Sequence, residues 1–290
     1  MNDNHLLPLF KWTGGKRREI KILKEFFPEF VLNDEQYDFV EPFAGGAAVY
    51  WYLNNVNGNN IINDYDSELV NFYMMMRDQD EDFITPIRQS SALYEGDTTD
   101  HGKQEENYYY WRNLDKDNGL DTLSDQERAA RFWIVNQLSF SGMRRFNKKG
   151  EFNVPYGHYK NLNSTNITSQ DHVNLLKNTT ITNGDYLNVL DNSDRDNTFI
   201  FLDPPYTRVM KKYSSDNEFT EQDQINLRDK LVDMEHASWM LVINQSDFIE
   251  ELYDGYVSKI YNLRYGVNIR NRFDTSVNHL IISNYLPAIS

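Results

Sequence analysis

Short runs of apolar and β-branched residues, each stopped by a polar turn, recur at Phe39–Val40, Ile61–Ile62, Thr179–Thr182, Phe199–Leu202, Trp239–Ile243, Val257–Tyr261 and Leu280–Ile282. They predict seven strands. The first five are nearly continuous in apolar or β-branched character and lie far apart in the chain, the pattern of parallel strands covered on both faces by crossover helices. One such helix is predicted to begin at Thr220, an N-cap with Asp223 three residues on, and to carry Leu227, Leu231 and Met234 at core spacing. The last two runs flank a loop around Tyr265 to Asn271 that has no room for a packed helix, so they predict an antiparallel hairpin at the edge of the sheet. The expected fold class is α/β, a doubly wound, mostly parallel seven-stranded sheet.

Between the second and third runs, from Asp64 to Thr179, lies an interval too long for a single crossover. An inserted, largely helical domain is expected there, consistent with 290 residues being near the upper limit for one hydrophobic core. Its aromatic cluster Tyr108 to Trp111 reads as core, and Ala129 to Leu138 as an apolar helix leading to a basic turn at Arg144 to Gly150. Charge sharpens this division. The whole chain carries −15, which taken alone argues against polyanionic partners. Asp78 to Glu127 holds 14 acidic and 4 basic residues, however, whereas Arg128 to Lys160 holds 7 basic and 1 acidic. The basic block is either a solvated face or a nucleic-acid surface. The chain has no cysteine, which removes disulfides, thiolate metal sites and a cysteine nucleophile. The early lysines and arginines Lys11, Lys16, Arg17, Arg18, Lys21 and Lys24 interrupt any leader-like apolar run, so the expected location is cytoplasmic, without a membrane span.

Four of the five predicted parallel strands end in a carboxylate, at Glu41, Asp64, Asp185 and Asp203. Ligands of open α/β sheets bind outside the carboxyl ends of the strands, so these acids are expected to rim one crevice. After the first strand comes Glu41-Pro-Phe-Ala-Gly-Gly-Ala-Ala, a small-residue turn that a ligand can approach closely. It is not a GxGxxG turn. Asp64 nevertheless follows Gly45 by 19 positions, the spacing at which an acid ending the second strand accepts ribose hydroxyls, and this suggests an adenosine-bearing cofactor. The sequence Phe199-Ile-Phe-Leu-Asp203-Pro204-Pro205-Tyr206 offers an extended, donor-poor turn whose Asp203 carboxylate and Pro204 carbonyl can accept the two hydrogens of an exocyclic amine, with Tyr206 as a stacking face.

The ordered set Lys11-Trp-Thr-Gly-Gly-Lys16, Glu41-Pro-Phe-Ala-Gly-Gly46, Asn63-Asp64 and Asp203-Pro-Pro-Tyr206 resembles the Dam-like, alpha-group DNA adenine-N6 methyltransferases. The likeness extends into the insert, through Asn136 to Gly142, Arg144-Arg-Phe-Asn and Gly150-Glu-Phe-Asn-Val-Pro-Tyr-Gly157. It implies an S-adenosyl-L-methionine-dependent methyltransferase core at 1–76 and 170–290, and a target-recognition insert at 77–169 with a basic hairpin at about 143–157. It implies that Trp12, Gly14, Gly15 and Lys16 line the cofactor site with Glu41, Pro42, Phe43 and Gly45 alongside, that Asp64 takes the ribose hydroxyls, and that Asp185 lies beside the cofactor adenine. Asp203, Pro204, Pro205 and Tyr206 become the catalytic floor shared by cofactor and target amine. On the DNA side it implies Asn136, Ser139, Phe140, Arg144, Arg145, Asn147, Lys148, Lys149 and Tyr156, with Lys160, Arg208, Lys211, Lys212, Arg264, Arg270 and Arg272 as an extension. The implied reaction is direct methyl transfer to N6 of a flipped adenine in double-stranded DNA, at a GATC-like site, with no metal. A cognate restriction enzyme is a candidate partner, and the partner of segment 78–127 is left open. Readings that keep the same residues are methylation of cytosine N4 or of RNA, and a non-catalytic DNA-binding or DNA-mimic regulator. His279 departs from the family pattern by standing where an acid is common.

Overall fold

The computed structural model describes residues 5–33, 35–95, 100–205, 219–264 and 276–287. Among them, seven strands form one sheet: β1 (Asp38–Glu41), β2 (Asn60–Asp64), β3 (Thr179–Asn183), β4 (Thr198–Leu202), β5 (Ser238–Asn244), β6 (Val257–Arg264) and β7 (Ser276–Ser283). Their order in space is β3-β2-β1-β4-β5-β7-β6. Strands β1 to β5 pair in parallel, and β7 runs antiparallel to both β5 and β6. All seven expected strands are present, and the final pair is the expected hairpin, with its second strand rather than its first seated against the parallel sheet. Strand order reverses between β1 and β4, so the ligand crevice of such a sheet falls at their carboxyl ends.

The period of two in the apolar runs divides the sheet between two cores. On one face Phe39, Phe199, Phe201, Met240, Val242 and Ile281 pack with residues of α1 (Ile20–Leu23), α2 (Glu29–Leu32), α3 (Ala48–Leu53) and α4 (Ser67–Asp78). The same apolar cluster continues without a break into the insert through Phe83, Ile84 and Ile87 of α5 (Glu81–Ala92), Tyr108 of α6 (His101–Asn113) and Phe132, Trp133 and Ile134 of α7 (Asp125–Leu138), and returns through Val173 and Leu176 of α8 (Gln170–Lys177). On the other face Val40, Ile200, Leu202, Leu241, Ile243, Leu280 and Ile282 pack on α9 (Tyr186–Leu190), α10 (Glu221–Val232) and α11 (Asp247–Leu252).

Two local expectations are adjusted. Helix α10 starts at the Thr220–Asp223 capping box as its sequence requires and buries Leu227 and Leu231, but it ends before Met234. The next turn is pulled out of helical geometry by the Asp194 carboxylate, which accepts from the backbone N–H groups of Glu235, His236 and Ala237. In the aromatic cluster Tyr108 is fully buried and donates to the Val154 carbonyl at 2.8 Å, yet Tyr110 points to solvent, because consecutive helical residues cannot share a face. Among the described residues no helix is long and apolar enough to cross a membrane.

Helix α7 is the central strut of the insert, and its first turn is held by a capping box between Ser124 and Glu127. Replacing Ser124 by Ala is expected to lower stability in urea unfolding by about 1 kcal/mol, and Ser124→Gly by only a few tenths. Equal losses for the two variants would show that the side-chain cap is not the source.

Candidate active site

Three of the four strand-end carboxylates come together. Glu41 closes β1, Asp64 closes β2 and Asp203 follows β4, and the Glu41 carboxyl feels both of the others. Asp185 is the N-cap of α9, its Oδ1 accepting from the Leu187 N–H, which leaves its carboxylate acceptor capacity. Into this crevice reaches Lys16, 2% exposed at the head of a single 3-10 turn. Its ammonium donates to both oxygens of Asp203, at 2.6 and 2.7 Å, and to the Gly14 carbonyl at 3.0 Å. Burial pushes the Glu41, Asp64 and Asp203 carboxyls above their ordinary range. For Asp203 the neighbouring Lys16 charge opposes that rise, and for Glu41 the Tyr50 N–H, which donates to its carboxylate, does so.

The turn after β1 is held from several sides. The Asp64 carboxylate accepts from the N–H of Gly45 at 2.8 Å and of Asp66 at 2.9 Å, which fixes Asp64 without exhausting its acceptor capacity. Asn63 donates to the carbonyls of Pro42 and Gly184, tying together the turns that follow β1 and β3. The Tyr73 hydroxyl, on α4, donates to the Gly45 carbonyl at 2.7 Å. The Trp12 indole lies against the turn so closely that a Cβ on Gly45 would stand 2.5 Å from its Nε1, and one on Gly46 2.8 Å from its Cβ. This contact, together with φ of +47° at Gly45, is why glycine is needed there. Phe43 stacks on Tyr186 at 4.9 Å. Pro204 is buried and Pro205 exposed, while Tyr206 lies outside the described residues.

Sequence reasoning passed over Tyr73 and a buried cluster behind Lys16. Glu19 accepts from the Tyr261 hydroxyl and lies 2.9 Å from His279 Nδ1, so the acid missing at position 279 is supplied from another element. A chain-order reading carries no signal for that pairing, because residues 19 and 279 meet only in the folded sheet.

The basic hairpin is built on bridges between Ser139 and Tyr156 and between Phe146 and Phe152. Asn147 organises its tip, with its side-chain oxygen accepting from the N–H groups of Lys149 and Glu151. Lys148, Lys149, Phe140 and Phe146 are exposed. Arg145 is half-buried and clamped by Asn153, through its side-chain oxygen at 2.7 Å and its carbonyl at 3.0 Å. Three other candidates face inward: Asn136 donates to the Lys11 carbonyl, Ser139 is fully buried, and the Tyr156 hydroxyl pairs with that of Tyr94 at 2.8 Å. Arg144 is also turned inward, ion-paired with Asp66 at 2.6 Å. Of the basic extension, Lys160 is exposed, whereas Arg208, Lys211, Lys212, Arg270, Arg272 and the Arg264 side chain lie outside the described residues.

A family model described as D12 class N6 adenine-specific DNA methyltransferase matches residues 12–269. The chain is 32% identical over 281 residues to the type II methyltransferase M.CviBI of Paramecium bursaria Chlorella virus NC1A, spanning 96% of this chain and 99% of that protein. It is 31% identical over 296 residues to the type II methyltransferase M1.LlaDCHI of Lactococcus lactis subsp. cremoris, spanning 98% and 97%. To the DNA adenine methylase of Haemophilus influenzae it is 26% identical over 255 residues, spanning 86% and 83%.

The pH dependence of stability should report the crowding of acids. Because burial raises the Glu41 pKa above its ordinary 4.5, the folded protein holds a proton there that the unfolded chain has released, and stability falls as pH climbs from 4.5 through the raised value. Glu41→Gln removes the charge and leaves an amide oxygen for the Tyr50 N–H. Thermal melts are expected to show the variant gaining on the wild type between pH 5 and pH 8, and a difference independent of pH would refute this.

Proposed function

Because the chain belongs to the D12 class N6 adenine-specific DNA methyltransferases, we propose that its methyl donor is S-adenosyl-L-methionine, held in the crevice at the ends of β1, β2 and β4, and that its DNA substrate is a duplex from which the target adenine is flipped. The chemistry of the residues present suits that donor. The acceptor oxygens of Glu41, Asp64 and Asp203 suit a ligand rich in N–H and O–H donors, and Asp64 keeps lone pairs for ribose hydroxyls. Trp12 and the Gly45–Gly46 turn form a close-fitting wall for it, with Gly14, Gly15, Lys16, Pro42 and Phe43 around them. Bound there, the donor supplies a methyl group on a positively charged sulfur that departs as a neutral thioether.

The Lys16–Asp203 pair carries the functional reading. It fixes the Asp203 carboxylate immediately before the two prolines, at the point where strand order reverses. There Asp203 and the Pro204 carbonyl would accept the two amine hydrogens, which withdraws the N6 lone pair from the ring and aims it at the methyl group; as the N–C bond forms and the C–S bond breaks, N6 becomes cationic and then sheds one proton to solvent. Tyr206, next in the chain, is the proposed stacking face, repaying part of the few kcal/mol that flipping costs. The 77–169 segment is the proposed recognition insert. Its exposed Lys148 and Lys149, with Arg145 and Phe140, meet the duplex, and Asn136, Ser139 and Tyr156 support that surface from within. A GATC-like site and a partnership with a restriction enzyme belong to the same reading.

Incubating the protein with S-adenosyl-L-methionine and unmethylated duplex DNA, followed by nucleoside mass spectrometry, is expected to yield N6-methyladenine. Asp203→Ala should lower turnover by at least about 100-fold while duplex binding persists. Turnover retained in that variant would overturn the role given to Asp203.

A further inference from the structure

Arg144 occupies a position that a simple phosphate contact does not explain. It belongs to the hairpin strand that carries the exposed basic residues, yet its side chain is only 22% exposed. One guanidinium nitrogen lies 2.6 Å from Asp66 Oδ2, and the planar group sits 5.0 Å from the Trp12 ring, 5.1 Å from Phe132 and 5.9 Å from Phe146. Enclosure by aromatic rings on one side and a carboxylate on the other is the environment a guanidinium fits and an ammonium does not.

Both of its partners are parts of the donor pocket's wall. Asp66 caps α4 with its other oxygen and takes its own N–H to Asp64, whose second oxygen holds the Gly45 N–H. Trp12 packs on Gly45 and Gly46. A ligand that orders Trp12 and the Gly45 turn therefore orders the surface on which Arg144 rests, and the reverse holds for a ligand that orders the hairpin.

We propose that Arg144 is a positioning residue that joins the recognition hairpin to the wall of the methyl-donor pocket through Asp66 and Trp12, so that donor and duplex each strengthen the binding of the other. The proposal rests on the donor-pocket and hairpin assignments made above. Ordering a shared element once, for two ligands, gives positive coupling that is equal in both directions.

The test is calorimetric titration of the full chain with S-adenosylhomocysteine, alone and saturated with a duplex that the protein methylates, at one fixed salt concentration. In the wild type the duplex is expected to tighten binding by about fivefold or more. Asp66→Asn, which keeps a good helix cap while removing the charge, and Arg144→Met should each bring that ratio to within about twofold of unity, and the double variant should lose no more than either alone. Far-UV circular dichroism and the thermal midpoint of Asp66→Asn should stay close to wild type, showing that the fold and the α4 cap are intact. A wild-type ratio near one, or a ratio kept in either variant, would overturn the inference. A wild type that binds no S-adenosylhomocysteine even without DNA would instead overturn the donor-pocket assignment, and the coupling with it.

Discussion

Burying the Lys16 ammonium is costly unless its charge is met, and Asp203, 187 positions away in the chain, meets it with both oxygens. The pair constrains everything around it. To reach Asp203 the N-terminal segment must cross the carboxyl end of the sheet, which lays Trp12 on the turn after β1 and makes glycine obligatory there. In the other direction, Lys16 fixes the carboxylate that precedes the two prolines. Removing either partner leaves a buried charge unmet, a loss of about 3–5 kcal/mol in comparable sites. The 3-10 turn that begins at Lys16 is pinned from behind by Glu19, through Tyr261 and His279 of the terminal hairpin, so the antiparallel edge of the sheet also serves the placement of this lysine.

The crevice crowds three buried carboxyl groups together. Burial raises the energy of each carboxylate, and at Glu41 the charges of Asp203 and Asp64 raise it further. Such an arrangement lowers stability in the absence of a ligand, and a fold optimised for stability alone would not keep it. A ligand that brings hydrogen-bond donors to these acceptors would relieve that crowding. The fixed donors of the Gly45 and Asp66 backbone hold Asp64 in place, and little reorganisation remains for the moment of binding.

The fold was legible because parallel strands advertise themselves: runs such as Phe199–Leu202 are buried on both faces and cannot alternate with polar residues. The acids at strand ends were legible for the same reason, since the topology carries each of them to one edge. What stayed hidden depends on contacts between distant segments. Tyr73 looks like one more apolar position of α4, and only the fold directs its hydroxyl at Gly45. Asp185 has the spacing of its fellow acids, but a helix begins two residues past β3 and takes its carboxylate as a cap. Charge counting marked the hairpin as basic without separating outward-facing Lys148 and Lys149 from inward-facing Arg144, because sequence position does not reveal which cation finds a carboxylate partner.

The boundary drawn at residue 77 marks where the chain leaves the sheet, and the physical core does not stop there. Trp133 and Gln137 of α7 both donate to the Leu9 carbonyl, and Asn136 donates to that of Lys11. The carbonyls of Leu9 and Lys11 therefore take their hydrogen bonds from the insert although the neighbouring Trp12 side chain serves the sheet's crevice. An unpaired backbone carbonyl in that interior would be costly, so the segment has no equally satisfied position without α7. The apolar cluster is continuous across the same junction, from Phe10 to Phe72 and Phe132. The insert and the sheet thus share one core, and a change that repositions α7 also displaces the Trp12 wall of the crevice. Although the chain carries −15 overall, Arg144, Arg145, Lys148 and Lys149 fall together on the hairpin attached to that helix, so local charge there is opposite in sign to the average.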